Sequence, residues 1–391
     1  MNPPEQRLWT KHFVIICLVN LLCFSSFHML VSTFPFYVKH LGGDDALAGV
    51  VAGLFSVAAL LIRPLIGWTL DNISRRLPVL LGTAAMAMLA LAYSQTTALA
   101  LIVLLRFMHG IAWSGAGTGN NTNACDHIPP KHFAEGMGYF GVTTTISMAI
   151  APALGLFLMN GFGFPPLFLC SAAIASSALI LIFFVDFKPL PDKPKQPLGH
   201  SLRNLLEKGA LPASATVLCF IIPYGAINTF IAMYAVESGV GSGGIFFSII
   251  ALSCAIMRIL GGRLADRVGE RPIVYVGGAS LIVSMLLLVF GQNTAAFLLS
   301  ALAFGVGFGV MPPAMQAMAM RKANTESRGA ASSTYLCAYD IGIGLGGIIG
   351  GFLVKYLGYT AMFTCMIIPE ICCILVYTLW AGKSQAAFKK Q

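Results

Sequence analysis

The sequence predicts an all-α membrane protein with twelve transmembrane helices, arranged as two pseudo-symmetric bundles of six. The composition of the chain and a repeat within it carry this prediction. Of the 391 residues, 57% are hydrophobic and only 10% are charged, and the mean hydropathy is +0.81. Soluble domains carry about 25% charged residues. The composition therefore excludes an ordinary soluble protein.

Twelve apolar stretches reach the length that a helix needs to cross a bilayer, about 20 residues. They cover residues 12–38, 46–70, 78–94, 97–122, 136–160, 164–185, 211–236, 243–264, 272–291, 294–319, 329–354 and 359–381. The runs are too long and too evenly apolar for the alternating strands of a β-barrel. The first run has no small-residue cleavage site behind a short core, so we expect a retained helix and not a signal peptide.

Lysine and arginine residues are distributed unevenly between the predicted loops. With a cytoplasmic N-terminus, Lys39 and Lys355 fall outside and Arg106 lies within a helix, which leaves 21 of the 24 basic residues on or near the cytoplasmic side. This bias predicts that both termini are cytoplasmic. It also accounts for the net charge of +9 without a nucleic-acid partner, because the charge is spread over short membrane loops.

The two halves of the chain repeat each other. A shift of 195 positions places RPLIGWTLDNISRR, which starts at Arg63, over RILGGRLADRVGER, which starts at Arg258. A repeat of six helices follows, and both copies face the same way because six is even. The predicted domains are an N-terminal bundle, residues 1–186, and a C-terminal bundle, residues 211–391. A cytoplasmic linker, residues 187–210, joins them and includes a short amphipathic segment.

The repeated segment resembles the G-x-L-x-D-x-x-G-R-R motif that the major facilitator superfamily carries between its second and third helices. The first copy, GWTLDNISRR, lacks the leucine and the inner glycine of the motif, and the second copy, GRLADRVGER, is the closer match. The resemblance covers essentially the whole chain. It implies the major facilitator fold and transport by alternating access between the two bundles.

The motif residues form a predicted gate on the cytoplasmic side. A carboxylate at a helix end accepts from arginines and from the N-terminus of a neighbouring helix, and glycine permits close approach. By resemblance, Asp71 holds this side closed while the cavity faces out. The alternative is that the arginines only hold the loop in the cytoplasm. The predicted gating residues are Arg63, Gly67, Asp71, Arg75, Arg76, Arg258, Gly262, Asp266, Arg267 and Arg271.

Charged residues deep in a bilayer cost at least about 2.5 kcal/mol, so each is a functional candidate. Asp340 lies roughly 16 Å into the eleventh predicted helix, at 1.5 Å per residue, and is a candidate for proton coupling. The alternative is a fixed hydrogen bond or charge pair across a helix interface. Glu370 is a weaker candidate, because the twelfth helix is peripheral in the family.

Arg106 resembles the arginine of the family's R-x-x-x-G element, in which Gly110 is the glycine. The resemblance implies a role in proton transfer or in substrate contact. The alternative is a structural role, in which Arg106 bonds carbonyl groups at helix ends.

Polar residues of four predicted helices are candidates for a substrate cavity, because the first, fourth, seventh and tenth helices face the cavity in the family. The candidates are Asn20, His28, Arg106, His109, Trp113, Tyr224, Asn228 and Gln316. The alternative for His28 is packing, the commoner role of a single histidine on an apolar face. The candidates in the first half include no acid, which favours a neutral, zwitterionic or anionic substrate.

The fifth predicted helix, GYFGVTTTISMAIAPALG, resembles the fifth-helix signature of drug and proton antiporters. It keeps three of the six marks, at Gly138, Pro152 and Gly155, and these with Gly110 are predicted helix-packing positions. Other tracts resemble a bacterial subgroup that includes multidrug and metallophore exporters. The resemblance favours a monomeric, proton-coupled exporter of a drug or metabolite in a bacterial inner membrane. Two alternatives stay open: a proton-coupled importer of a small metabolite, and a non-transporting sensor or scaffold.

Three other function classes lack their sequence signals. The chain has no G-x-x-x-x-G-K-[ST] loop, which excludes an ATP-driven pump within it. The GIGLGG segment, residues 342–347, has the spacing of a dinucleotide fingerprint but lies in an apolar helix and follows no strand, so it predicts a helix-packing face. No catalytic triad or metal-ligand cluster is evident, and we expect no enzymatic activity, cofactor or bound metal.

Overall fold

The computed structural model describes residues 8–129, 133–190, 207–268, 270–321 and 328–381, and within these ranges the chain forms helices and no strand. The predicted amphipathic part of the linker lies outside the described residues. The first half contains α1 (Lys11–His40), α2 (Asp45–Asn72), α3 (Leu77–Gln95), α4 (Leu99–His127), α5 (Phe133–Phe162) and α6 (Phe164–Ile182). The second half contains α7 (Leu211–Ser238), α8 (Gly243–Val268), α9 (Glu270–Phe290), α10 (Thr294–Arg321), α11 (Arg328–Cys365) and α12 (Ile367–Val376), followed by a π-helical turn (Tyr377–Ala381).

The helical stretches account for the twelve predicted passes. Among the described residues, ten stretches are long and apolar enough to cross a membrane. The last of these, Thr334–Ala381, has 48 residues, about twice the length of one pass. Gly358 divides it, with a φ of 81° inside α11. A shorter apolar helix, Gly243–Arg258, begins α8. The twelve-pass, all-α fold class is therefore confirmed.

The helix starts follow local sequence signals. Thr10 caps α1 and its hydroxyl accepts from the backbone N–H of Phe13 at 3.2 Å, while Asp44 caps α2 and accepts from that of Leu47 at 2.8 Å. The helices α3, α6 and α7 have proline in their first turn, where the missing N–H costs nothing. These signals fix the starts that the apolar runs predict only approximately.

Two turns show the repeat directly in the backbone. Gly163, between α5 and α6, has a φ of 85°, and Gly358 has a φ of 81°. The two positions differ by 195 residues, the shift that superimposes the two halves. A positive φ at this turn requires glycine, and both halves have a glycine with this conformation at the equivalent position. The same turn therefore recurs in both halves at the spacing of the sequence repeat.

The molecule has two ends, which we name after one residue each. The Lys39 side carries the turns α1–α2, α3–α4, α5–α6, α7–α8 and α9–α10 and the break at Gly358. The Asp71 side carries the turn α2–α3, the C-terminal end of α4 and the N-terminal end of α9. The sequence predicts that the Lys39 side faces out of the cell and that the Asp71 side faces the cytoplasm.

The two halves meet mainly along three helix pairs, which are α2 with α11, α5 with α8, and α1 with α7. The first two pairs are related by the repeat. Gly53 on α2 lies against Gly344 on α11. Their repeats are also in contact, because the hydroxyl of Ser248 on α8 donates to the carbonyl oxygen of Ala149 on α5 at 2.8 Å.

Small residues let α2 and α11 approach closely. A Cβ atom added to Gly49 would lie only 2.8 Å from the Cα atom of Gly351. The GIGLGG segment lies in α11, where its glycines face α2 and α7. Many large apolar side chains on the outer surface are exposed, such as Leu61 and Phe290. Such a surface suits a lipid environment, since soluble proteins rarely expose large apolar patches.

Candidate coupling and substrate site

A partly buried ion pair joins the two halves between α2 and α11. Nη2 of Arg63 lies 2.5 Å from Oδ2 of Asp340, and the side chains are 11% and 14% exposed. Nη1 of Arg63 also donates to Oγ1 of Thr118 on α4, at 3.4 Å. From the sequence, Arg63 is a predicted gating residue and Asp340 is a candidate for proton coupling. The structure brings them together as one unit, a charge pair across a helix interface.

Arg258 occupies the repeated position on the other interface. It lies on α8, and its Nη1 is 3.2 Å from Oγ1 of Thr145 and 3.5 Å from the carbonyl oxygen of Gly141, both on α5. Both arginines of the repeat thus reach from one half to the other. The first meets a carboxylate and the second meets neutral oxygen atoms.

The gating motif of the first copy forms a charge chain on the Asp71 side. Nη1 of Arg75 donates to Oδ1 of Asp71 at 2.8 Å, and its Nε lies 3.0 Å from Oδ2 of Asp126 on α4. Nδ2 of Asn123 donates to the carbonyl oxygen of Arg75 at 3.1 Å. The Asp71 side chain is 70% exposed. In this conformation Asp71 therefore pairs within the first half.

Two other gating arginines, Arg76 and Arg271, contact aromatic rings. The Arg76 guanidinium stands over the Phe183 ring at 5.4 Å, and that of Arg271 stands over the Tyr275 ring at 5.8 Å. A Cβ atom on Gly67 would meet nothing within 4 Å, so α2 has open space there. The side chains of Gly262, Asp266 and Arg267 lie outside the described residues.

Aromatic rings enclose Arg106 inside the first half. Its guanidinium lies 4.6 Å from the ring centre of Phe34 and 4.4 Å from that of Phe55, and the residue is 2% exposed. The hydroxyl of Tyr93 interacts with Arg106 and lies 3.2 Å from Nδ1 of His109. Cation–π contacts stabilise a guanidinium without a carboxylate. The predicted pair of Arg106 and His109 is thus one buried cluster, and aromatic faces surround it instead of helix-end carbonyl groups.

Asn20 ties three helices of the first half together. Its Nδ2 donates to Oγ1 of Thr143 on α5 at 2.7 Å, and its Oδ1 accepts from Nδ2 of Asn120 on α4 at 3.1 Å. The residue is buried. Its amide is therefore engaged by protein groups in this conformation.

His28 and Trp113 belong to an aromatic cluster between α1, α2 and α4. Trp113 stacks on Phe27 with ring centres 4.3 Å apart, and His28 lies 5.1 Å from the same ring. His28 is buried. These contacts favour the packing role for His28.

The cavity candidates of the second half differ in exposure. Tyr224 is buried and stacks on Phe308 of α10, with ring centres 4.5 Å apart. Asn228 is buried one turn further along α7, whereas Gln316 on α10 is exposed. Of these three candidates, Tyr224 interacts electrostatically with Arg258.

An ion network that the sequence analysis missed closes the Lys39 side. Nζ of Lys39 lies 3.2 Å from Oδ1 of Asp45 in its own half and 3.1 Å from Oε1 of Glu237 on α7. Nζ of Lys355 on α11 lies 2.8 Å from Oδ2 of Asp44. The Lys355 ammonium holds the pKa of the Asp44 carboxyl below its usual range. Two ion pairs therefore cross between the halves at this end.

The chain matches the sequence model of the Major Facilitator Superfamily over residues 16–347 and 244–391. The chain belongs to the major facilitator superfamily. The Escherichia coli K12 protein "Uncharacterized MFS-type transporter YhhS" is 25% identical over 367 residues, 90% of this chain and 87% of that protein. The predicted family is thus confirmed, and the chain is a transporter of this superfamily.

Solved structures of other transporters share the fold. The nucleoside transporter NupG, as its D323A mutant, superimposes with a TM-score of 0.76 at 17% identity, over 97% of this chain and all of that one. The human organic anion transporter MFSD10 (TETRAN) superimposes with a TM-score of 0.69 at 20% identity, over 96% of this chain and 100% of that one. At these identities the likeness supports the fold alone.

The contacts between the halves show which end of this major facilitator protein is held together. The Lys39 side has the ion pairs to Glu237 and Asp44 and the close approach of Gly49 and Gly351. On the Asp71 side, the described contacts of Asp71 and Arg75 stay within the first half. In an alternating-access transporter, this is the arrangement of a conformation closed at the Lys39 side.

The predicted helix-packing glycines of this major facilitator protein fall into two classes. A Cβ atom on Gly155 would lie 2.7 Å from Cγ of Met29 and 2.9 Å from its carbonyl oxygen, and one on Gly110 would lie 2.9 Å from Cβ of Ala58. A Cβ atom on Gly138 would meet nothing within 4 Å. Pro152 lies inside α5 and is buried. Gly110 and Gly155 sit at close helix contacts, and Gly138 does not.

We expect Gly155→Ala to lower the free energy of unfolding by about 1–3 kcal/mol, because the added methyl group overpacks the α1–α5 contact. The matched control is Gly138→Ala on the same helix, which we expect to be neutral or slightly stabilising, since alanine favours helix over glycine. Thermal unfolding of both purified variants checks this. Equal melting temperatures for the two variants would contradict the packing assignment.

Two further observations bear on other sites. Among the described residues, no group of three or more His, Cys, Asp or Glu side chains is placed to hold a metal ion. Glu370 on α12 is fully buried, and neither of its carboxyl oxygens has a hydrogen-bond partner in the described part of the chain.

Proposed function

We propose that this protein is a proton-coupled exporter of a small organic compound, working by alternating access in a bacterial inner membrane. The observation that carries the proposal is the Arg63–Asp340 pair, which is an ionisable contact between the two halves. We further propose a monomer with both termini in the cytoplasm. Its units are residues 1–186 and 211–391, and residues 187–210 form the linker.

The ion pair gives protons control over the contact between α2 and α11. While Asp340 is ionised, its attraction to Arg63 holds the two helices together in a medium of low dielectric constant. Binding a proton removes the negative charge and leaves Arg63 without its counter-charge, which weakens the contact. Loss of that proton restores the pair. Each conformational cycle can therefore carry one proton on Asp340.

In the proposed antiport, inward movement of protons drives outward movement of the substrate. A proton that enters from the outer side and leaves to the cytoplasm drives the halves through one cycle, in which the substrate moves outward. The remains of the antiporter signature in α5, at Gly138, Pro152 and Gly155, support this direction. The cluster of Arg106 and His109 supports a neutral, zwitterionic or anionic substrate, because it contains positive charge and no acid.

Flux in proteoliposomes with an imposed pH gradient tests the proposal. Cationic dyes, zwitterionic chelators and organic anions form the panel, with Asp340→Asn and Asp340→Glu in parallel. We expect gradient-driven substrate movement against the proton flow, lost in Asp340→Asn and partly kept in Asp340→Glu, which can still bind a proton. Asp71→Asn separates the gate from the coupling site, because it changes an exposed carboxylate and leaves Asp340 intact.

Other outcomes would identify the alternative functions. Substrate movement in the same direction as the protons would make the protein an importer. Unaltered flux in Asp340→Asn would leave Asp340 as a structural residue. Absence of flux for the whole panel, with a folded protein, would favour the sensor or scaffold.

A further inference from the structure

Arg258 is a charged residue whose described partners are all neutral. Its Nη1 donates to Oγ1 of Thr145, and the thiol of Cys254 is also within hydrogen-bond range. Its Nε has no hydrogen-bond partner among the described residues. A guanidinium has five N–H donors and stays charged in proteins. Much of the binding capacity of Arg258 is therefore unused by the described groups.

The repeat shows which kind of partner is missing. Under the 195-residue shift, Arg258 corresponds to Arg63 and Thr145 corresponds to Asp340. At the α2–α11 interface the arginine meets a carboxylate. At the α5–α8 interface the equivalent place holds a hydroxyl group, 3.2 Å away. A carboxylate-sized anion would complete at Arg258 the pair that the protein builds for itself at Arg63.

Three tyrosines of α7 and α11 interact electrostatically with this charge. They are Tyr224, Tyr335 and Tyr339. Tyr224 stacks on Phe308, so the side chains of α7 and α10 present an aromatic surface in this part of the second half. Tyrosine offers a flat apolar face together with a hydroxyl group. The surroundings therefore suit a ligand that has both a negative group and a ring.

Arg258 lies at a contact between the two halves and is not fully buried. Its side chain is partly exposed, whereas the Arg106 side chain is buried among aromatic rings. Thr145 belongs to the first half, and the three tyrosines belong to the second half. A ligand held by Arg258 would therefore contact both halves, and its binding would depend on their relative position.

We propose that Arg258 binds the negative group of an aromatic organic anion, whose ring lies against the tyrosines of α7 and α11. This inference rests on the proposed transport function and names its substrate class. Arginine suits the task because its planar fork binds a carboxylate or phosphate with two parallel hydrogen bonds. Thr145 is a specificity residue in this arrangement. A carboxylate at position 145 would pair with the guanidinium and compete with the anion for it.

Equilibrium dialysis of the purified full-length protein in micelles of an uncharged detergent tests the site. The probes are benzoate, phenyl phosphate and benzenesulfonate, and benzamide is the uncharged match for benzoate. We expect at least one anion to bind about 10- to 100-fold more tightly than benzamide, the range expected for charge-assisted hydrogen bonds. Protein-free micelles measure partition into the detergent.

Three variants locate the binding at Arg258. Arg258→Gln removes the charge, and we expect it to lose that 10- to 100-fold preference for the anion over benzamide. Arg258→Lys keeps the charge without the fork and retains part of the preference. Thr145→Asp supplies an internal carboxylate, and we expect it to lose anion binding with a melting temperature no lower than that of the wild type.

The inference is wrong if no anion binds better than benzamide, or if Thr145→Asp and Arg258→Gln bind the preferred anion as tightly as the wild type. Should Arg258→Gln fail to fold, Thr145→Asp still decides, because it keeps the arginine. Dialysis needs no pH gradient. Anion binding without proton-coupled flux would therefore refute the transport proposal alone, and coupled flux of a zwitterion without anion binding would refute this one alone.

Discussion

Neutralising one member of the Arg63–Asp340 pair is expected to destabilise the protein, and neutralising both is expected to restore much of the loss. Asp340→Asn leaves a partly buried guanidinium without its counter-charge, and Arg63→Gln leaves the carboxylate. Removing one partner of a buried ion pair costs about 3–5 kcal/mol, whereas replacing both is often nearly neutral. Chemical unfolding of the two single variants and the double variant in detergent measures the coupling energy.

The exposed pair at the end of α2 provides the control. Asp71 is 70% exposed where it meets Arg75, and a surface ion pair contributes about 0–1 kcal/mol. Asp71→Asn should therefore change the unfolding free energy little. Strict additivity of the Arg63 and Asp340 effects would contradict their assignment as one unit. The double variant should also lack proton coupling, since it has no carboxyl group at position 340.

Gly49→Ala is expected to move the protein out of the conformation described here. The new methyl group would lie 2.8 Å from the Cα atom and 3.1 Å from the backbone nitrogen of Gly351, and a backbone cannot move aside as a flexible side chain can. Overpacking of this kind costs about 1–3 kcal/mol. The cost falls on the conformation in which the Lys39 side is closed, so its population relative to the alternative should fall by about 10- to 100-fold.

Hydrogen exchange of backbone amides measures this shift without added labels. Faster exchange is expected in the turns around Gly42 and Gly239, which connect α1 to α2 and α7 to α8. Gly161→Ala is the matched control, because it lies on the same side of the molecule and its added methyl group would meet nothing within 4 Å. Unchanged exchange in Gly49→Ala would show that the α2–α11 contact does not set the conformation.

The helices and the repeat are predictable from the sequence because both are local or periodic properties. Apolar runs of bilayer length locate the twelve passes. The last predicted run starts at residue 359, directly after Gly358, where the backbone of α11 is broken. The exact helix ends are set by capping groups such as Asp44, and the length of an apolar run does not reveal them. The gating motif is also local, and its arginine and aspartate are four residues apart.

Partners across helices are not predictable in the same way. Depth in the membrane marked Asp340 as exceptional, but nothing in its own helix identifies Arg63 as its neighbour. Arg106 was expected to meet substrate, protons or carbonyl groups, and it meets the rings of Phe34 and Phe55, which come from other helices. The repeat held one usable signal: aligning Asp340 with Thr145 would have shown that the two interfaces differ in charge.

The two shortest helices of the first half limit the bilayer thickness that suits this transporter. Both α3 and α6 have 19 residues, which corresponds to roughly 28 Å at 1.5 Å per residue, and they pack against each other. The 30 residues of α1 extend over roughly 45 Å, so that helix can tilt or protrude from the membrane. The short pair cannot lengthen in response to a thicker bilayer. Lipids next to α3 and α6 must therefore thin locally wherever the hydrocarbon layer exceeds about 30 Å, and this hydrophobic mismatch disfavours thick membranes.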